Sequence, residues 1–207
     1  MGPGASETRR TGALLAHGAW TNKDHPLMVR IREGLEAAGY TVHAFNYPYA
    51  ERGSKRPDHP SKLLEAHRAA ADQLAPRVER LFLAGRSMGG RIGTLLAADG
   101  YPCDGVILYA YPLHPPGKPE KLRIEHLPRI RVPMLFFQGT RDALARMDLF
   151  EAHIASLPNA EVEILEGAGH GLKGGGWTLE TLADRYVEGT VAWIERNSSG
   201  GSTPPAR

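Results

Sequence analysis

The chain has 207 residues, a formal net charge of +2, 42% hydrophobic residues and 23% charged residues. That is the size of one domain with a full core, and its evenly mixed charge, with no stripe of Arg and Lys interleaved with aromatics, excludes an evident nucleic-acid surface. The one cysteine, Cys103, excludes an intramolecular disulfide framework, and no apolar run approaches the ~20 residues that span a bilayer.

Residues 1–10 read as a flexible leader. Met1-Gly2 with Ser6 loosely fits a myristoylation pattern, which Pro3 argues against. Arg9-Arg10 echoes a twin-arginine signal, but the apolar stretch behind it ends at once in His17-Gly18, so a cytoplasmic protein is expected. The first predicted strand, Gly12–Ala16, runs into His17-Gly18-Ala19-Trp20. A helix over 25–38 follows, with Gly39 placed to end it, then a strand over Thr41–Asn46 and a helix over 60–75.

The next strand, Leu81–Gly85, opens into Gly85-Arg86-Ser87-Met88-Gly89 and a helix over 88–98. After the strand Val106–Tyr109, the segment from Ala110 to Pro128 is rich in proline and too stiff for a helical cap. The strand Met134–Gln138 leads into Gln138-Gly139-Thr140-Arg141-Asp142 and a helix over 147–156. The last strand, Glu161–Leu165, leads into Gly167-Ala168-Gly169-His170-Gly171. Leu179, Leu182, Ala183, Tyr186, Val187, Thr190, Val191 and Ile194 then mark one face of a helix over 178–196. The domain is expected over 11–197, with a disordered Ser/Gly/Pro tail over 198–207.

Strands alternating with helices predict an α/β fold with a mostly parallel sheet and helices on both faces. Leu81–Ala84, Val106–Leu108 and Met134–Phe137 are apolar on both faces, as central parallel strands are. Val42–Phe45 and Val162–Glu166 mix polar residues among the apolar ones and read as edges. The expected order is 2-1-3-4-5-6, reversing between the first and third strands, where ligands bind at the strands' carboxyl ends. Ser87 falls at that point.

Glycines two residues either side of a serine, between a buried strand and a helix, lay out a nucleophile elbow. Serine needs a base to take its proton, and the base needs an orienting acid. In the chain order expected for this layout the acid precedes the base, which selects Asp142 and His170, both on glycine-bearing loops at strand ends. Asp142 could instead cap the helix that follows, a role Asp148 could also fill. The oxyanion hole is assigned to the backbone N–H groups of Met88 and Ala19, with Trp20 as the alternative to Ala19; losing such a donor costs about 2.7–4 kcal/mol of barrier. His17 is expected to brace that loop. Trp20, Arg86 and Arg141 are expected at the substrate, with Arg86, Arg91, Arg141 and Lys118 around the rim. They would either attract an anionic substrate or serve as surface ion pairs. The 9 histidines show no H-E-x-x-H pairing, so neither a metal nor a cofactor is expected.

These four segments together (Leu14–Trp20, Gly85–Arg91, Gln138–Asp142 and Gly169–Gly171) resemble the oxyanion loop, elbow, acid loop and histidine loop of the alpha/beta hydrolase superfamily, over about residues 11–196. The chain is most similar to small dienelactone-hydrolase-like proteins, a branch that includes testis-expressed proteins and a subunit of the non-specific lethal chromatin complex. Dienelactone hydrolases carry cysteine at the elbow where this chain has Ser87, which weakens any transfer of their substrate. The resemblance implies a minimal fold without a large cap domain, its first strand matching the family's third. It also implies Ser87 as nucleophile, Asp142 as orienting acid and His170 as general base, cleaving a small-molecule carboxylic ester or thioester. A monomer or homodimer with no nucleic-acid or membrane partner is expected. A catalytically silent interaction module, or a peptidase or acyltransferase using the same three residues, stands as the alternative. Dehalogenases and epoxide hydrolases place aspartate at the elbow and are disfavoured.

Overall fold

The computed structural model describes residues 10–171 and 174–199. Most of the leader and tail expected from the sequence therefore lies outside the described residues. The elements run β1 Thr11–Ala16, α1 Pro26–Ala37, β2 Thr41–Phe45, α2 Pro48–Glu51, α3 Pro60–Leu74, β3 Arg80–Arg86, α4 Met88–Ala98, β4 Gly105–Tyr109, β5 Met134–Gly139, α5 Met147–His153, β6 Ala160–Leu165 and α6 Leu179–Ser199. Every strand pair is parallel, and the order is β2-β1-β3-β4-β5-β6, as the apolar pattern predicted.

Two apolar layers cover the two faces. On one, Leu83, Leu108 and Phe136 meet Leu63, Ala71, Leu74, Ile92 and Phe150. On the other, Phe82, Ile107, Tyr109 and Phe137 meet Ile31, Leu35, Tyr186 and Trp193. Successive residues of one strand point to opposite faces, so the unbroken runs of β3, β4 and β5 feed both layers. The edge strand β6 is only partly covered: Glu163 is half-buried and Leu165 buried, while Ile164 on the opposite face is exposed.

Helix starts follow local chemistry. His25 and His59 stand before Pro26 and Pro60, and their Nδ1 atoms accept the N–H groups of Leu27 and Ser61, at 3.2 and 3.4 Å. Proline at the first helical position gives up an N–H that has no partner there anyway. Gly39 ends α1 as expected, at φ 92°, with the Tyr40 N–H returning to the Leu35 carbonyl at 3.1 Å. The short helix α2 is an addition to the predicted elements; four residues carry no periodicity to read. Helix α5 is shorter than expected. Neither Asp142 nor Asp148 caps it: the capping position is Arg146, which pairs with Asp148 instead.

The segment from Ala110 to Pro128 holds no α-helix, only a 3-10 turn at Leu127–Arg129. It packs against itself and against the loop after β5, where the His114 N–H donates to the Leu144 carbonyl at 3.0 Å. The Tyr111 hydroxyl donates to the Arg123 carbonyl at 2.6 Å, and the Arg146 N–H donates to His114 Nε2 at 3.2 Å. No described helix is long and apolar enough to cross a membrane.

Candidate active site

The elbow is built by close backbone approach. A Cβ on Gly85 would lie 2.5 Å from the Gly90 nitrogen, and one on Gly89 would lie 2.5 Å from the Ala16 carbonyl oxygen. Only glycine fits where α4 starts against the ends of β3 and β1. Between them Ser87 adopts φ 50° and ψ −116°, a strained backbone for a residue with a Cβ, costing on the order of 1–3 kcal/mol. Its N–H donates to the Tyr109 carbonyl at 3.0 Å, which fixes the turn to the next strand.

Three side chains from three strand ends meet at this turn. Ser87 Oγ lies 2.8 Å from His170 Nε2, and His170 Nδ1 lies 2.8 Å from Asp142 Oδ2. The carboxylate can only accept, so Nδ1 carries the proton and Nε2 is left free to accept from the serine hydroxyl. Asp142 is 5% exposed and its charge is met by further donors. Gln138 Nε2 donates to Oδ2 at 2.8 Å and the Leu144 N–H donates to Oδ1 at 2.8 Å. Such a line can draw a proton from a hydroxyl and stabilise the imidazolium that results. The acid and histidine loops also touch: a Cβ on Gly139 would run into the Ala168 carbonyl, and the Arg141 N–H donates to that carbonyl at 3.0 Å.

The loop after β1 reaches the same place. A Cβ on Gly18 would come 3.5 Å from Ser87 Cβ. The Gly18 carbonyl is held by three donors: His17 Nδ1 at 2.8 Å, Thr21 Oγ1 at 3.1 Å and the Tyr49 hydroxyl at 3.2 Å. The peptide is trans and planar, so the Ala19 N–H points away from those donors. The Met88 N–H is in the first turn of α4, where N–H groups have no partner within the helix. His17 does brace this loop. The Tyr47 N–H donates to its Nε2 at 3.2 Å, and burial, its strongest influence, lowers its pKa and favours the neutral ring. Behind it, the Tyr47 hydroxyl lies 2.9 Å from Nδ1 of fully buried His67.

The residues expected at the substrate divide. Trp20 is 69% exposed, at φ 59°, just past the Gly18 peptide. Arg141 is exposed beside Asp142, and Lys118 is exposed too. Arg86 is not an open rim cation: it is half-buried, and its Nη2 donates to the His170 carbonyl. Arg91 is also half-buried. Gln138 and Tyr49 were not singled out in the sequence. Gln138 stood inside the acid motif, in an otherwise apolar strand, where a buried amide needs a partner; Tyr49 left no local signal.

A cleft of about 340 Å³ opens at the opposite end of the sheet, at the amino ends of β3 and β4, lined by Val78, Tyr101 and Cys103 among others. Burial pushes the Cys103 thiol up to about 12, so it is not a thiolate at neutral pH. Among the described residues no group of three His, Cys, Asp or Glu side chains could hold a metal ion.

Known structures share the arrangement of elements. One is from the metagenome-derived lipolytic enzymes LipS and LipT, at 20% identity and TM-score 0.70, covering 91% of this chain and 94% of that one. Another is TT1662 from Thermus thermophilus, at 22% identity and TM-score 0.70, covering 94% and 92%. A third is the monoacylglycerol lipase of Paleococcus ferrophilus, at 16% identity and TM-score 0.71, covering 90% and 94%. At these identities the likeness is one of fold. A family model, the alpha/beta hydrolase domain, matches residues 9–195, and this chain belongs to that family.

Proposed function

We propose that this protein is a small, dienelactone-hydrolase-like serine hydrolase that cleaves carboxylic esters through an acyl-enzyme on Ser87. The observation that carries the reading is the 2.8 Å approach of Ser87 Oγ to His170 Nε2, with Asp142 2.8 Å from the far ring nitrogen. His170 takes the hydroxyl proton as Oγ attacks the ester carbonyl. The carbonyl oxygen becomes an oxyanion, stabilised by the N–H groups of Met88 and Ala19. As the tetrahedral adduct collapses, the carbon–oxygen bond to the alcohol breaks and His170 gives that alcohol its proton. Water, deprotonated by the same ring, then attacks the acyl-enzyme, and the acid leaves as Oγ recovers its proton. Asp142 accepts from Nδ1 and holds the ring in its tautomer.

Ester chemistry draws support from the neighbours described as lipolytic enzymes and as a monoacylglycerol lipase. The lack of a cap helix over 110–128 favours short acyl chains or exposed esters, and thioesters would follow the same route. Trp20 and Arg141 are the residues proposed to meet the substrate. No cofactor enters the scheme, and a cytoplasmic monomer or homodimer is proposed. A silent interaction module would have no use for a strained serine aligned with a half-buried histidine and a buried aspartate.

The test is a panel of nitrophenyl esters of rising chain length, with one thioester, on wild type and Ser87→Ala. Turnover that falls as the chain lengthens and drops about 10⁴-fold or more in Ser87→Ala is the expected result. Equal turnover by wild type and Ser87→Ala, or none by folded wild type, contradicts it.

A further inference from the structure

His170 stands in a run poor in side-chain anchors: Gly167, Gly169 and Gly171 surround it, and Gly174-Gly175-Gly176 follow. Glycine backbone loses the most freedom on being fixed. Such a loop holds a side chain still only where other groups grip it. Its flank is gripped: the Gly167 N–H donates to Thr140 Oγ1 at 2.8 Å, and Trp177 Nε1 donates to the Glu166 carbonyl at 2.8 Å. At His170 itself, among the described residues, a side chain that reaches the backbone is the one next to Ser87 in sequence, Arg86, whose Nη2 donates to the His170 carbonyl.

Arg86 also touches the oxyanion loop. A Cβ on Gly18 would come 3.2 Å from Arg86 Nη1, so the missing side chain at Gly18 makes room for the guanidinium. Arg86 Nε is buried without a hydrogen-bond acceptor, and among the described residues the guanidinium lies within 4 Å of no carboxylate. Burial lowers its pKa, and the charge of Asp142 is among the influences opposing this. An incompletely paired charge in a half-buried site is costly, and a leucine or methionine would fill the volume without that cost. What an apolar side chain cannot do is hold a carbonyl on one loop while lying against another.

We infer that Arg86 is a positioning residue for the proposed reaction: its guanidinium ties the His170 loop and the Gly18 loop to the strand end that carries Ser87, fixing the base against the nucleophile. This rests on the reading of Ser87 and His170 as nucleophile and base. A misplacement of about 1 Å can cost on the order of 100-fold in rate, so a loosened loop lowers kcat far more than it changes ground-state binding.

The experiment compares wild type, Arg86→Ala and Arg86→Lys on one short nitrophenyl ester, with thermal unfolding of each. In Arg86→Ala, kcat is expected to fall about tenfold or more while KM stays within about twofold. Labelling of Ser87 by a fluorophosphonate is expected to slow in step. Arg86→Lys keeps the charge but not the fork, and should recover part of kcat. Guanidine hydrochloride at low millimolar concentration should partly restore Arg86→Ala and leave wild type unchanged. If Arg86→Ala fails to fold, Arg86→Lys carries the comparison, with a fall of a few-fold in kcat at unchanged KM expected. An active wild type matched in kcat by a folded variant overturns the inference, as does a rise in KM alone, which would make Arg86 a substrate contact. A wild type that neither turns over ester nor takes the label overturns the proposed function first.

Discussion

The acid loop and the histidine loop lie side by side at one rim, yet they are held in opposite ways. Asp142 is buried, and besides His170 it accepts from a side-chain amide and a backbone N–H. The Gly18 loop resembles it, with three donors on the Gly18 carbonyl and the His17–Tyr47–His67 contacts behind them. His170 sits instead among glycines, with its ring in the Ser87–Asp142 line and its backbone held by Arg86. Buried polar networks fix position by many bonds, which strengthen one another in a low local dielectric. A glycine-rich loop brings few side chains of its own, so the described grip on it comes from neighbours, among them Arg86, Thr140 and the Arg141 N–H. The contrast teaches where position is shared among several polar groups, at Asp142 and at the Gly18 carbonyl, and where one side chain from a neighbouring strand end reaches the loop backbone, at His170.

The largest effect is expected where the two regions join. Asp142→Asn keeps the shape but replaces an acceptor with an amide, so His170 loses the group that sets its tautomer. A fall in kcat of about 10⁴-fold is expected, measured on the same ester as wild type. Gln138→Leu removes one bond to the carboxylate, worth about 1.5–3 kcal/mol. If the acid side is multiply held, kcat should fall about tenfold to a hundredfold with Asp142 still in place; a loss as large as that of Asp142→Asn would break the comparison.

Tyr49→Phe takes one of three donors from the Gly18 carbonyl. A neutral hydrogen bond contributes about 0.5–1.5 kcal/mol, so a fall in kcat of about three- to tenfold is expected, well short of the oxyanion-hole limit. The smallest effect at neutral pH concerns stability. Burial lowers His67 to about 3, from an ordinary value of 6.5. Between those values the unfolded chain takes up a proton that the folded one does not, so this contribution is complete above pH 6.5 and drains away as pH falls towards 3, by at most about 1.4 kcal/mol per pH unit. Urea unfolding at pH 7 and pH 5 should show a smaller loss for His67→Gln than for wild type; equal losses would mean that His67 is not held neutral.

Much of the fold was legible in the sequence because it rests on local pattern. The doubly apolar runs of β3, β4 and β5 and the mixed runs of β2 and β6 set the strand order, since burial on two faces or one is written in the period of a strand. Gly85, Ser87 and Gly89 marked the elbow for the same reason: a close backbone approach demands glycine at fixed offsets. Arg86 was misplaced because arginine is mostly a surface residue. Its position at the end of a wholly buried strand was the available signal that its stem had to lie along the sheet. Gln138 had a comparable clue, as a lone amide in an apolar strand. Tyr49 had none, because its bond to Gly18 crosses 31 residues. Helix α2 is too short for any period to show. The loops that carry Ser87, His170 and Asp142 are legible as local motifs, and the fold brings those three side chains together, whereas the side chains around them are joined only by the folded chain.

The central claim is that the Ser87 hydroxyl is a nucleophile activated by His170, and covalent capture tests it most directly. Wild type, Ser87→Ala and His170→Ala are treated with a fluorophosphonate and their intact masses followed over time. One phosphonyl adduct on wild type, mapped to the peptide bearing Ser87, absent from Ser87→Ala and formed far more slowly in His170→Ala, is the predicted result. A folded wild type that takes no adduct, or one labelled as fast without His170 as with it, contradicts the account.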